Sequence, residues 1–179
     1  IANGDWSSDV CSSDLTSDIN INKIEVWVTN TTSNYENSRN IVAFTDLGEG
    51  KEEWIYNDNE IYPTTGFGNQ YPDNYSNTML NDMDYNSIRS LNSVTSYLTS
   101  QGYTSGKDFE KLQKASKLSP SEYVLNSKLC FITLNISLNA NQTLAVAYQY
   151  TVIGQDKVYQ VGEFSDQSIA DPNVLVTKL

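Results

Sequence analysis

Histidine is absent from these 179 residues. With it go most transition-metal sites, the Ser-His-Asp triads and the common proton shuttle near neutral pH. Charge is sparse, at 18% of residues, and basic charge is sparser: 11 Lys and Arg stand against 22 Asp and Glu, a net charge of −11 with pI ≈ 4.2. A surface that neutralises phosphates should be basic, so this balance argues against nucleic acid as a partner. No stretch approaches the ~20 apolar residues of a membrane helix. Cysteine occurs only at positions 11 and 130, and proline only four times. Aromatic residues, by contrast, are plentiful, with 12 Tyr, 3 Trp and 5 Phe. Many aromatics with little charge favour strands and aromatic-rich loops. The length suits one domain with a sizeable core.

Residues Asp5–Leu15 (Asp-Trp-Ser-Ser-Asp-Val-Cys-Ser-Ser-Asp-Leu) resemble the translation of a common sequencing adapter. They are Ser- and Asp-rich and aperiodic, with no core to join. Residues 1–15 are therefore expected to be non-native, and residues 16–179 to form a single β-rich domain. Setting the segment aside leaves 11 basic against 19 acidic residues, a net charge of −8. It also removes Cys11, so a Cys11–Cys130 disulfide is not expected and cysteine usage is silent on compartment. The chain opens at Ile1 without a start Met or a signal-peptide core, and it stops within the apolar run Val174–Leu179. Both ends read as those of a fragment of a larger protein.

The periodicity predicts strands at both ends of the domain. Ile24, Val26 and Val28 alternate with Lys23, Glu25, Trp27 and Thr29, the period-two pattern of a strand with one buried face. Residues 41–47 are apolar on both faces apart from Thr45 and Asp46, which predicts an interior strand ending at Gly48. Glu52–Tyr56 is a candidate third strand, followed by a long loop over 57–81. Ile88, Leu91, Val94 or Thr95, and Leu98 recur at helical spacing, with Asp84 or Asn86 as N-cap and Gly102 as stop. Phe109, Leu112 and Ala115 predict a second, shorter helix within Lys107–Leu118. Strands resume at Leu129–Leu134, where Cys130 is expected to be a buried thiol. The alternation from Leu144 to Val152, the turn residues Gly154-Gln155-Asp156 and the run Lys157–Phe164 predict a hairpin. The fold class expected is α+β: an antiparallel β-sheet or sandwich interrupted by a two-helix hairpin.

Candidate chemistry is thin. Asp58, Glu60, Asp82 and Asp84 lie in acidic loops without the spacing of a calcium loop, and they read as solvated charge. Glu49, Glu52 and Glu53 offer carboxylate pairs of the kind any acidic chain contains. The Asn-X-Ser/Thr sites at Asn30, Asn74, Asn135 and Asn141 follow from an Asn-rich composition. Trp54, Tyr56, Tyr62 and Phe67 are the candidate contact residues, an aromatic platform for a surface or a partner. No catalytic, cofactor-binding or metal-ligating residue is assigned.

One resemblance goes further. Ile24-Glu-Val-Trp-Val-Thr-Asn30 with Arg39–Glu49, Leu118-Ser-Pro-Ser-Glu-Tyr123, Leu129–Leu134, Leu144–Tyr150 and Val158–Ser165 resemble, in order, blocks of the N-terminal region of the SprA (Sov) family, and Lys107-Asp-Phe-Glu-Lys-Leu112 resembles the family's helix ahead of the last four. The similarity covers residues 19–179. Departures are Cys130, where the family usually has Gly, and the unmatched loop 57–81. The resemblance implies a portion of the outer-membrane translocon of type IX secretion and gliding motility in Bacteroidetes-type bacteria. That role is structural and transporting, without catalysis or cofactor. It implies a PorV-like shuttle protein, a periplasmic plug protein and secreted cargo with C-terminal sorting domains as partners. It also implies residence at the outer membrane or cell surface, on a side the residues leave open. The interrupting helices favour an extramembrane domain over barrel wall. The alternative is a carbohydrate-binding β-sandwich module of a cell-surface protein, using Trp54, Tyr56, Tyr62 and Phe67.

Overall fold

The computed structural model describes residues 18–32, 35–47, 79–80, 83–167 and 169–179. In chain order its elements are strands β1 (Ile19–Val28) and β2 (Ser38–Phe44), helices α1 (Tyr85–Arg89) and α2 (Val94–Ser100), and strands β3 (Phe109–Lys117), β4 (Tyr123–Asn126), β5 (Phe131–Leu134), β6 (Leu144–Val152), β7 (Val158–Val161) and β8 (Leu175–Lys178). The fold is α+β. Six strands form a sheet in the order β1-β3-β2-β8-β6-β7, and β4 and β5 form a separate hairpin. Pairing is antiparallel except between β2 and β8, which run parallel.

The sheet closes on itself. β1 pairs with β3 at Trp27 and Val28, and with β6 from Ile19 to Val28. Strands β1, β3, β2, β8 and β6 thus form a ring, completed by one residue pair between Val146 and Lys178. A single buried cluster draws on every strand of that ring: Trp27, Leu112, Ala115, Ile41, Ala43, Leu175 and Ala145. Three alanines beside one tryptophan match small side chains to a large one, as a narrow closed sheet requires. The helices cover one outer face, where Ile88, Val94 and Leu98 pack with Val42, Phe44, Phe109 and Val176. The β4–β5 hairpin covers another, where Tyr123, Ile132 and Leu134 pack on Val26, Val28 and Val146.

Closure changes the expectation for β1. Ile24, Val26 and Val28 share a face as their alternation predicts. The opposite face is buried as well, with Trp27 1% and Glu25 3% exposed, because it points into the ring. β2 is the interior strand its two-sided apolarity predicts, flanked by β3 and β8.

The helix pair lies earlier in the chain than its spacing suggests. The periodic run from Ile88 to Leu98 is two helices, α1 and α2, separated by Ser90–Ser93. The Ser93 hydroxyl bonds the carbonyls of Ser87 and Ser90, competing with continuous helix at the break. Asp84 caps α1 by accepting the Ser87 N–H at 2.7 Å. α2 ends at Gly102 (φ 93), with Gly102 N–H donating to Thr99 and Tyr103 N–H to Leu98, the paired bonds of a Schellman stop.

Residues 109–117 are strand β3, not the second helix that Phe109, Leu112 and Ala115 predict. Their three-residue spacing has two sheet causes. Phe109 and Leu112 lie on opposite faces, one packed under the helices and the other inside the ring. Between Leu112 and Ala115 the register against β2 shifts, and Lys114 takes φ 48. This bulge inserts one residue and returns Ala115 to the face of Leu112. Two-sided burial plus a bulge imitates helical periodicity.

The hairpin of β6 and β7 turns at Gly154 (φ 83), as its turn residues predict. Cys130 departs from expectation. It is exposed, in the turn between β4 and β5 at φ 56, because the apolar run is split by the turn and only Phe131–Leu134 is strand.

Candidate functional site

Trp54, Tyr56, Tyr62 and Phe67 lie outside the described residues, as do Glu49, Glu52, Glu53, Asp58, Glu60, Asp82 and the candidate strand 52–56. Asp84, weighed as a loop carboxylate, is the α1 cap. Among the described residues, no group of three or more Cys, Asp or Glu side chains converges in the manner of a metal site.

The buried charges form structural ties around the segment joining β7 to β8. Glu25, on the inner face of β1, accepts the Lys117 ammonium at 2.5 Å and the N–H and hydroxyl of Ser165 at 2.9 Å each. Arg39, from β2, donates to the carbonyls of Ile169 (2.7 Å) and Asn173 (3.3 Å). Ile169 packs against the ring interior, so this segment plugs one end of the ring. Arg89, at the end of α1, forms a two-pronged pair with Glu163 and also donates to the Val174 carbonyl at 2.8 Å. Glu163 in turn accepts the Val176 N–H at 2.7 Å. Each charge has a partner, as buried charges require.

Among the described residues four groups have displaced pKa values, and all move away from neutrality. Burial alone would lower the Arg89 pKa, but its bonds to Glu163 raise it on balance. Burial, followed by the charge of Glu25, raises the Tyr123 phenol. Hydrogen bonds from Ser87 lower Asp84, and the bond from Lys23 lowers Asp166. General acid–base chemistry calls for displacement in the other direction, toward the working pH.

Two concavities among the described residues bear on function. An apolar groove of about 270 Å³ runs beneath the β4–β5 hairpin, along Ile19, Ile21 and Ile24 of β1, Val146 and Tyr148 of β6, and Ile132 of β5. Above it the hairpin exposes Val124, Leu129 and Phe131. A polar cleft of about 780 Å³ lies at the β3 bulge, between the end of β1, the bulge and the α1–α2 connection. Among the described residues its wall includes Asn30, Tyr35, Asn40, Lys111, Gln113 and Lys114, and no acidic residue. The bulge builds this wall: the Lys114 N–H donates to Asn40 Oδ1 at 3.0 Å, and the Lys114 ammonium sits 4.0 Å above the Tyr35 ring. None of these residues stands out in sequence. The available signal was the break in alternation between Leu112 and Ala115, which resembles helix. Compared with known proteins, the chain finds no matching family model and no matching curated protein.

Proposed function

We propose that this chain is a structural portion of a SprA-like outer-membrane translocon of type IX secretion, serving as an extramembrane domain of that machine. The observation that carries the reading is the correspondence of blocks with elements. Apart from Lys107–Leu112, which resembles the family's helix but runs into strand β3, the stretches resembling the family fall, in chain order, on β1, β2, the β4–β5 hairpin, β6 and β7. A chance likeness has no reason to fall on one strand after another of both sheets. The one-residue departure is informative too. The family's usual Gly stands where Cys130 has φ 56, a backbone that glycine adopts without steric cost.

The extramembrane placement is supported by packing. A strand of barrel wall turns one face to lipid and the other to a lumen. Here the ring is filled by Trp27, Leu112 and Leu175, one end is plugged, and helices and hairpin cover the outer faces. Cargo would pass beside this domain, not through it. In this reading a PorV-like shuttle, a periplasmic plug protein and sorted cargo are partners of the whole machine, and the domain acts without catalysis or cofactor.

The test is the source gene. Reading outward from both ends of the natural segment should reveal a very long open frame with many barrel strands, and residues 5–15 should be missing from it. A short complete gene would sink the proposal.

A further inference from the structure

The polar cleft at the β3 bulge gathers cations and hydrogen-bond donors in a chain that is otherwise strongly acidic. We propose that it is a binding site for an acidic saccharide, a short chain of sugar rings carrying carboxylates. The inference stands apart from the translocon reading. It also assigns carbohydrate recognition to residues other than Trp54, Tyr56, Tyr62 and Phe67.

Three observations carry it. The first is charge. Among the described residues, Lys111 and Lys114 line the cleft and no acidic residue does, although acidic residues outnumber basic ones by two to one in the chain. The Lys111 side chain makes no hydrogen bond or ion pair among the described residues. Two cations lining one cleft attract an anion.

The second is the kind of wall. Gln113 and Asn40 present side-chain amides, and Tyr35, 53% exposed, presents an aromatic ring. Asn40 uses its oxygen on the Lys114 N–H, which leaves its NH2 as a donor. Amide donors and an aromatic surface suit hydroxyl-bearing rings; a lone inorganic anion would use only the lysines. At about 780 Å³ the cleft is far larger than such an ion and within the ~300–1,000 Å³ typical of small-ligand sites. Two lysines are too few to hold a polyphosphate backbone against a net charge of −11.

The third is backbone cost. Lys114 occupies φ 48, a left-handed conformation that a lysine adopts at a penalty and a glycine does not. The fold keeps a lysine there, and the bulge aims its ammonium over Tyr35 at the cleft. Bulges beside sites commonly re-aim a side chain in this way.

The experiment is a calorimetric titration of the 179-residue protein with trigalacturonate at low salt, with maltotriose and citrate as neutral-sugar and anion-only controls. Trigalacturonate should bind, and added salt should weaken it. Lys111→Gln and Lys114→Gly should each weaken it by about tenfold, the loss of one charge-assisted bond. Lys114→Gly suits its left-handed position, so its thermal midpoint should hold while its affinity falls. No binding of trigalacturonate at millimolar concentration would overturn the proposal. So would binding unchanged in both variants, or citrate or maltotriose binding as tightly as the acidic trisaccharide.

Discussion

Glu163→Gln removes one negative charge from the pair with Arg89 while leaving the side-chain shape intact. The wild-type pair is close to fully buried, with Arg89 9% and Glu163 12% exposed, and its two N–H···O bonds are 2.5 Å each. In the variant the guanidinium stays charged, because an arginine side chain is not deprotonated in proteins. It then faces a neutral amide, one of whose two positions is a donor pointing at a donor. Breaking a buried pair from one side costs ~3–5 kcal/mol, and the residual exposure of both groups places this case near the lower end. A third interaction is also at risk, since Glu163 accepts the Val176 N–H that helps hold β8 in the ring. With a urea slope of ~1–3 kcal/mol per molar, a loss of ~3 kcal/mol should lower the unfolding midpoint by at least about 1 M. Far-UV circular dichroism in a urea series at neutral pH reads this directly. Arg89→Met combined with Glu163→Leu should cost less than Glu163→Gln alone, because no charge is then left unpaired. A midpoint for Glu163→Gln within ~0.5 kcal/mol of wild type would refute the claim that this pair ties α1 to the β7–β8 segment.

Gly162→Ala should destabilise by about 1–3 kcal/mol: at φ 75 its new Cβ would lie 3.2 Å from both Ala147 Cβ and Thr177 Cα, and a thermal midpoint equal to wild type would count against ring closure there. Cys130→Gly should stabilise by up to about 1 kcal/mol, since it relieves a left-handed backbone at an exposed turn; a loss of stability in chemical denaturation would contradict the assignment. Trp27→Ala should cost about 3–5 kcal/mol, the penalty for emptying a core site, whereas Trp27→Phe should cost less because it also removes an indole N–H that has no hydrogen-bond partner. The acid limb has a defined sign. Asp84 and Asp166 have folded pKa values below the ordinary 3.8, so their contribution is present above that value and is lost as pH falls through the folded values. Asp84→Asn with Asp166→Asn should therefore flatten the stability profile below about pH 4, and an unchanged acid slope would reject that origin.

Much of the strand content was legible because it rests on local alternation. The face of Ile24, Val26 and Val28, the two-sided β2, and the β6–β7 hairpin turning at Gly154 all stand where the pattern puts them. So do the Asp84 cap and the Gly102 stop, each a local answer to unsatisfied backbone groups. The candidate sites were far less legible. The polar cleft joins residues from the β1–β2 connection, β2 and β3, which only pairing brings together. The Arg89–Glu163 tie spans 74 positions, with nothing in either neighbourhood to mark it.

The sequence by itself determined that this is a histidine-free, acidic, aromatic-rich α+β chain and where most strands and the first helical region lie. Those properties depend on composition and on neighbours a few residues apart. Only the tertiary structure decided that residues 109–117 are strand, that both faces of β1 are buried, and that Cys130 is exposed. The physical reason is the same in each case. Whether a residue faces core or solvent depends on which strand lies beside it. Here the closure of β1 onto both β3 and β6, with one bulge at Lys114, set those neighbours.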